Sequence, residues 1–323
     1  MRAVRVDEFG GPEVLVAREL PDPEPGPGEV LVEVGAANVI YLDTLIRGGA
    51  ARDHFPQTPP YVPGGSVVGR VAEVGPSTDP AWIGVRVLTR TDDGGYADRV
   101  AVPAEGLVRV PGELRPLDAL ALMVDGATAM MLERAARFTP DTWVLVLAAT
   151  GGAGSLVVQL ARLAGARVIG AARGPEKLAL ARSLGAEEVV DYAEPDWCDR
   201  VLEVTGDTGA DVVIDGAGGA LGSASFRAVA EGGRFLSYGT AGGSFAEIDA
   251  REAARRGITT LGLDAMRARS GTDRSDLTRL ALEEARAGHL RPHVGLTLPL
   301  ERAAEAHAAL EGRRVLGKVL LVP

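Results

Sequence analysis

The stretch WVLVLAATGGAGSLVVQLARLAGARVIGAAR, Trp143 to Arg173, writes out strand, glycine turn, helix and second strand without interruption. Trp143 to Leu147 is a near-continuous apolar run, as in a parallel strand covered on both faces. Gly151, Gly152 and Gly154 follow it and let the backbone approach a ligand closely. From Ser155 onward, Leu156, Leu160 and Leu163 at i, i+4 and i+7 predict a helix with one buried face, ended by Gly165. The N–H groups at such a helix start are unpaired, and the helix dipole adds about 0.3–1 kcal/mol per anionic group, so the turn suits a phosphate. Glycines here also serve packing in any doubly wound domain, so the turn by itself leaves both readings open.

The second strand, Arg167 to Ala172, narrows the choice, because its end is where a dinucleotide fold meets the adenosine ribose. An Asp or Glu there would accept from the ribose 2′-hydroxyl and favour NAD. The strand instead runs out to Arg173, with Lys177 one turn into the following helix. At about 4 Å and an effective dielectric near 20, each charge pair is worth about 4 kcal/mol before screening, so two cations favour a 2′-phosphate and hence NADP(H). The competing reading makes Arg173 and Lys177 solvated charges at a helix start.

The rest of the composition bounds the answer. A chain of 323 residues, 46% hydrophobic and 24% charged, is long enough for two globular domains. No apolar run reaches the ~18 residues that a membrane span needs. Thirty-four Lys and Arg against 44 Asp and Glu give a formal charge of −10 without a basic, aromatic-studded block, which disfavours nucleic acid. The opening MRAVRVDEFGGPEVL lacks the apolar core of a signal peptide, and the single cysteine, Cys198, can form no internal disulfide. The expected compartment is the cytoplasm. One cysteine also excludes a four-cysteine zinc lobe, and His54, His289, His293 and His307 show no ligand spacing; Pro292 breaks any helix that would align His289 with His293. Surface or packing roles are expected for all four.

The first hundred residues carry short Val-rich strands between turn clusters, at Val30–Val34, Val67–Val74 and Val85–Thr89, which predicts a strand-rich, barrel-like domain. From Pro116 the pattern turns helical, and from Trp143 strands alternate with helices. Further strands are predicted at Glu188–Val190, Asp211–Asp215, Arg234–Tyr238 and Ile258–Leu263, which completes a six-stranded parallel sheet. The tail holds a strand VGLTL, a helix Leu300–Leu310 and a strand Val319–Val322 that this sheet does not need, so it is expected to rejoin the first domain.

Barrel-like domain first, dinucleotide domain second and returning tail last resembles the medium-chain dehydrogenase/reductase superfamily. The segments LDTLIRGG (Leu42–Gly49), YVPGG (Tyr61–Gly65), GGYADRVAVPAEGLVRVP (Gly94–Pro111), DGATAMMLER (Asp125–Arg134), AATGGAG (Ala148–Gly154) and GKVLLVP (Gly317–Pro323) are similar to its zinc-independent quinone oxidoreductase branch. The zinc alcohol dehydrogenase branch is disfavoured, because its cysteine position near Val39–Tyr41 and its Gly-His-Glu motif, here Gly64, Gly65 and Ser66, carry no ligands.

The resemblance implies an α/β fold: a Rossmann doubly wound parallel sheet at 118–269 and a GroES-like domain from 1–117 with 270–323. It implies Thr128 beside the nicotinamide of NADPH, Gly151, Gly152, Ala153 and Gly154 on the pyrophosphate, and Arg173, Lys177 and Tyr192 around the 2′-phosphate. Gly216, Ala217, Tyr238, Gly239 and Thr240 are implied to line the rest of the cofactor cleft, at the carboxyl ends of two strands as open sheets require. Lys318 would be the family's basic residue near the cofactor, or a plain strand-edge charge. A homodimer formed along the Ile258–Leu263 edge is also implied.

Departures from the family pattern fall on the acceptor side. Ile40 stands where the family has Asn, Leu45 where it often has Tyr, and Ser66 where it has an acidic residue, so a more apolar substrate pocket is expected. Without a metal, the protein's task is to hold the nicotinamide against a small-molecule acceptor that is itself electrophilic, a quinone or an α,β-unsaturated carbonyl. Tyr41 is the candidate proton donor, or else an aromatic wall. Asp43 either orients neighbouring groups or pairs with Arg47 four residues on, the pairing being the favoured reading. Acidic neighbours Asp196, Asp199 and Glu203 are expected to raise the Cys198 thiol, which disfavours nucleophilic work. Two further readings remain: a non-catalytic NADPH-binding redox sensor or structural relative, and a zinc-free alcohol or carbonyl oxidoreductase.

Overall fold

The computed structural model describes every residue except Asp53, His54 and Pro56, so the expectation for His54 lies outside the described residues. The chain folds as two compact units, Met1–Val124 with Pro292–Pro323, and Asp125–Arg291. These divisions fall later than the expected 117/118 and 269/270. The Pro116–Ala136 helix runs unbroken through the first expected boundary. The Arg274–Arg286 helix belongs to the second unit, with Leu277, Ala281 and Leu282 buried.

The second unit is built on a six-stranded sheet ordered 188–191, 167–172, 143–147, 210–215, 229–237, 259–262, every neighbouring pair parallel. This is the Rossmann fold. All five residues of Trp143–Leu147 are buried at its centre, which is why that strand needed no polar alternation. The strand Val229–Ser237 starts earlier than predicted and leaves Tyr238 in the turn beyond it. Thr259–Gly262 forms an edge of the sheet.

The helix after the glycine turn spans Gly152–Leu163 and so begins within the glycines rather than at Ser155. Leu156 and Leu160 are buried as the spacing predicts, but Leu163 is 54% exposed. Burial instead covers Ala153 to Val158, Leu160 and Ala161, so the apolar stripe is broad in the first turns and ends before the last residue.

In the first unit, strands 294–299, 318–322, 29–39, 66–74, 86–90 and 108–109 follow one another in a single sheet, and 99–103 also pairs with 29–39. The long Glu29–Val39 strand serves different partners along its length: Glu29–Glu33 pair with the 99–103 strand and Ala37–Val39 with the 318–322 strand. Register shifts at Leu31/Val32 and Val34/Ala36 bend it between them. Alternating valines, including Val30, Val32, Val34, Val67, Val71 and Val87, fill the core of this unit. The tail strands do rejoin it. Val294–Pro299 runs parallel to Lys318–Val322, with the Ala303–Glu311 helix between them in sequence. A separate ribbon, Arg2–Val6 with Leu15–Glu19, completes the unit.

Candidate active site

In the Rossmann unit, the carboxyl ends of adjacent parallel strands gather most of the residues singled out for the cofactor. After Leu147 the chain turns sharply at Ala148, which holds a left-handed φ of 53°, and the Gly151 N–H donates to the Ala148 carbonyl at 2.9 Å. A left-handed alanine costs of order 1–3 kcal/mol, strain tolerated where a turn is fixed by function. A side chain at Gly154 would run into that same Ala148 carbonyl, so glycine is required there by space. Gly151 caps the helix in extended conformation without a side-chain cap hydrogen bond, and the Asp125 carboxylate lies against Gly152. The opening of the helix is thus formed by the backbone of Gly151, Gly152, Ala153 and Gly154.

Arg173 leaves the next strand end exposed to solvent, its guanidinium 6.0 Å from the centre of the Tyr192 ring, which follows the neighbouring strand. Lys177 lies in the first turn of the Pro175–Ser183 helix. The nearby acid is engaged with backbone: Asp191 accepts from the Gly174 N–H and the Ala193 N–H, both at 2.9 Å. It pins the turn that presents Arg173.

On the other side of the central strand, Asp215 ends an apolar strand and is fully buried. Its carboxylate accepts from the N–H groups of Ala217 at 3.0 Å and Gly218 at 2.8 Å and from the Ser237 hydroxyl at 3.1 Å. Burial raises its pKa, and these three bonds work against the rise. One side chain thereby locks the Gly216–Ala217 turn to the end of the Val229–Ser237 strand. A Cβ on Gly239 would collide with the Gly216 backbone, so the two turns approach as closely as glycine allows. Tyr238 packs over Gly216, and burial, with Asp125 and Asp215 adding, raises its phenol. Asp215 was legible as the charge that closes the apolar run Val212–Ile214, but its partners depend on register and had no local signal. Thr128 lies partly buried on the Pro116–Ala136 helix.

The remaining candidates, Ile40, Tyr41, Leu45, Ser66 and Lys318, all belong to the first unit. Ile40 caps the Tyr41–Arg47 helix in extended conformation, and its N–H donates to Asp43 Oδ2 at 2.9 Å, half of a capping box that isoleucine cannot reciprocate. Tyr41 and Leu45 are partly buried on that helix. Ser66 is 2% exposed and accepts from Asn38 Nδ2 at 3.1 Å. Asn38 also donates to the Leu120 carbonyl at 3.3 Å, so a buried amide lies close to the place where the sequence pointed only to lost polarity. Lys318 is 5% exposed at the start of its strand, where it pairs with Val294 of the neighbouring strand.

Two local expectations are overturned. Asp43 and Arg47 share a helix but do not pair: Asp43 accepts from Ile40 and from Tyr96 Oη at 3.2 Å, while Arg47 binds the Gly10 carbonyl, His307 and Glu311. Both side chains are buried and are claimed by groups remote in sequence, which outcompete an i,i+4 contact worth a few tenths of a kcal/mol. For Cys198 the direction was right and the cause was not. Burial pushes its thiol up to about 11, Arg227 pulls the other way, and its sulfur donates to the Ala224 carbonyl. Among the described residues, no group of three or more His, Cys, Asp or Glu is placed to hold a metal ion. His289 sits at the surface against Glu284, and His307 is buried.

Two family models match along the chain: an alcohol dehydrogenase GroES-like domain over residues 26–112, and a zinc-binding dehydrogenase over 152–282. A 2-haloacrylate reductase from Burkholderia is 34% identical over 330 aligned positions, covering 99% of this chain and 98% of the relative. Human quinone oxidoreductase is 32% identical over 330 positions, covering 100% and 98%. This chain is a quinone oxidoreductase-type member of the medium-chain dehydrogenase/reductase superfamily. Escherichia coli quinone oxidoreductase, solved as a complex with NADPH, superimposes with a TM-score of 0.90 at 27% identity over the full length of both chains. Membership makes the protein an oxidoreductase with a GroES-like first unit and a Rossmann second unit. Among the described residues, no helix is long and apolar enough to cross a membrane.

Proposed function

We propose that this protein uses NADPH to reduce a carbon–carbon double bond conjugated to a carbonyl, or a quinone, without a metal. The observation that carries the cofactor choice is the pairing of Arg173 with Tyr192 at adjacent strand ends, where Asp191 is committed to backbone N–H groups. Similarity to a protein solved with NADPH supports the same choice. Bound NADPH supplies a hydride. Gly151, Gly152, Ala153 and Gly154 would receive the pyrophosphate, Arg173, Lys177 and Tyr192 the 2′-phosphate, and Gly216, Ala217, Tyr238, Gly239 and Thr240 the rest of the dinucleotide. Thr128 would lie beside the nicotinamide, and Lys318 would be a basic residue near the cofactor.

The acceptor class follows from chemistry and from likeness. A quinone and a haloacrylate, named in the relatives, are both conjugated acceptors. Hydride addition at the β-carbon moves the π electrons toward the carbonyl, and a proton must then reach the α-carbon or the oxygen. Tyr41 is the proposed donor, and Ile40, Leu45 and Ser66 the proposed acceptor walls. We further infer a cytoplasmic homodimer whose sheets join along the exposed Thr259–Gly262 edge.

Loss of NADPH absorbance with a panel of a quinone, a cyclic enone and a 2-haloacrylate tests the activity. Turnover with at least one acceptor is expected; NADPH binding with no turnover on any would return the protein to the non-catalytic reading. Tyr41→Phe separates donor from wall, since a donor role requires kcat to fall at least about tenfold. A scattering mass near 33.5 kDa, that of one chain, would exclude the dimer.

A further inference from the structure

Behind the Tyr41–Arg47 helix lies a buried polar series that the proposed chemistry does not use. Arg47 NH1 stands 3.3 Å from His307 Nδ1, His307 Nε2 stands 3.1 Å from Tyr96 Oη, and Tyr96 Oη stands 3.2 Å from Asp43 Oδ2. Arg47, Asp43, Tyr96 and His307 are all at most 8% exposed. The direction of every bond is fixed by its first member. A guanidinium only donates, so Nδ1 of His307 accepts and the ring proton of the neutral imidazole sits on Nε2. That proton is donated to Tyr96 Oη, whose own hydrogen is left to donate to Asp43. Burial, with Arg47 adding, keeps His307 neutral, its pKa pushed down to about 3. The ring edge contact of Tyr96 on His307, at 90° and 5.8 Å between centroids, holds both in place.

The series ends on Asp43 Oδ2, which also accepts the Ile40 N–H that begins the helix bearing Tyr41 and Leu45. Arg47 closes the far end, tied to Glu311 and the Gly10 carbonyl. Because a guanidinium does not give up its proton, the series cannot carry protons from Glu311 to Asp43. It can orient.

We propose that Tyr96 and His307 are positioning residues: their one-way hydrogen bonds from Arg47 hold the Asp43 carboxylate beneath the Ile40–Tyr41 turn and so set the acceptor-facing helix. The proposal rests on reading Ile40, Tyr41 and Leu45 as the acceptor wall. The charged and titratable groups around Asp43 are Lys318 from the last strand, Tyr61 and Tyr96 from loops, and Arg47 of its own helix, with His307 and Glu311 behind. Desolvation lifts Asp43 to about 6, and Ile40, Lys318 and Tyr96 each work against that rise. Removal of the Tyr96 hydroxyl therefore lets the carboxyl climb further.

Tyr96→Phe deletes that one donor. The acid limb of kcat/KM for the acceptor is expected to move up by about one pH unit, with KM for NADPH held within about twofold. His307→Leu is expected to move it likewise, while His307→Gln, which keeps an acceptor and a donor, restores the wild-type limb. A limb unmoved in both Tyr96→Phe and His307→Leu, at equal folded fraction by circular dichroism, overturns the proposal. The same shift is readable without turnover, from carboxyl 13C titration of Asp43 and 15N resonances of His307. An enzyme inactive on every acceptor would refute the acceptor-wall reading, whereas a protonated Nδ1 on His307 or an Asp43 titration unmoved in Tyr96→Phe would refute the series itself.

Discussion

Replacing His307 by Gln should change how stability responds to acid, and the size follows from its surroundings. A histidine titrates ordinarily near 6.5, and His307 is fully buried with its pKa pushed down to about 3. Between those values the unfolded chain takes up a proton that the folded chain refuses, so stability falls with pH through that window and is fully present above it. The span of about 3.5 pH units corresponds to roughly 5 kcal/mol when complete, of which roughly 3 kcal/mol is lost by pH 4. Asp43 acts oppositely. Its carboxyl is raised from 3.8 to about 6, so the folded state binds the proton first and gains about 3 kcal/mol as pH falls from 6 to 4. In the wild type these two buried groups nearly cancel between pH 7 and 4. Glutamine keeps a donor and an acceptor at the site but does not titrate, which leaves the Asp43 gain unopposed. Urea unfolding followed by far-UV circular dichroism at pH 7, 5.5 and 4 should show His307→Gln gaining about 3 kcal/mol on the wild type between the extremes. An equal wild-type-to-variant difference at pH 7 and pH 4 would refute the neutral, buried histidine.

Arg173→Asp should weaken NADPH by about 10- to 100-fold in a nicotinamide fluorescence titration and leave NADH within about threefold, since a charged hydrogen bond is worth ~1.5–3 kcal/mol; equal losses for both would remove the 2′-phosphate site. Asp215→Ala should cost about 3 kcal/mol or more of stability by leaving two backbone N–H groups and the Ser237 hydroxyl without their acceptor, and an unchanged melting temperature would contradict that role. Cys198, buried and with its thiol raised to about 11, should resist a disulfide reagent at pH 8 until urea unfolds the chain, and rapid native labelling would show the burial to be wrong.

The Rossmann sheet was legible because its strands are short apolar runs closed by glycine turns: Trp143–Leu147 and Arg167–Ala172 fall on the residues the pattern named. The returning tail was legible for the same reason, as strands left over once the six-stranded sheet was filled. Exposure of Leu163 was not, because periodicity says which face is apolar and not where the covering layer stops. In the site, Arg173 could be read from the absence of an acid at the strand end. The Asp43 surroundings could not, since Tyr96 and His307 lie 53 and 264 positions away and reach it only through the folded barrel domain. Spacing alone proposed the nearest opposite charge, Arg47, and the buried partners of both residues outcompeted it. Ser66 marked lost charge, yet the Asn38 amide that binds it sits between Ala37 and Val39 with no pattern to set it apart.

In the proposed reaction the NADPH hydride reaches a conjugated carbon. NADPH carrying deuterium at the transferred position, reacted in a single turnover with a cyclic enone, tests it by mass spectrometry of the product. Deuterium at the β-carbon of the saturated ketone is the predicted result. NADPH bound at the same site with no labelled product from enone, and none oxidised by quinone or haloacrylate, would contradict it.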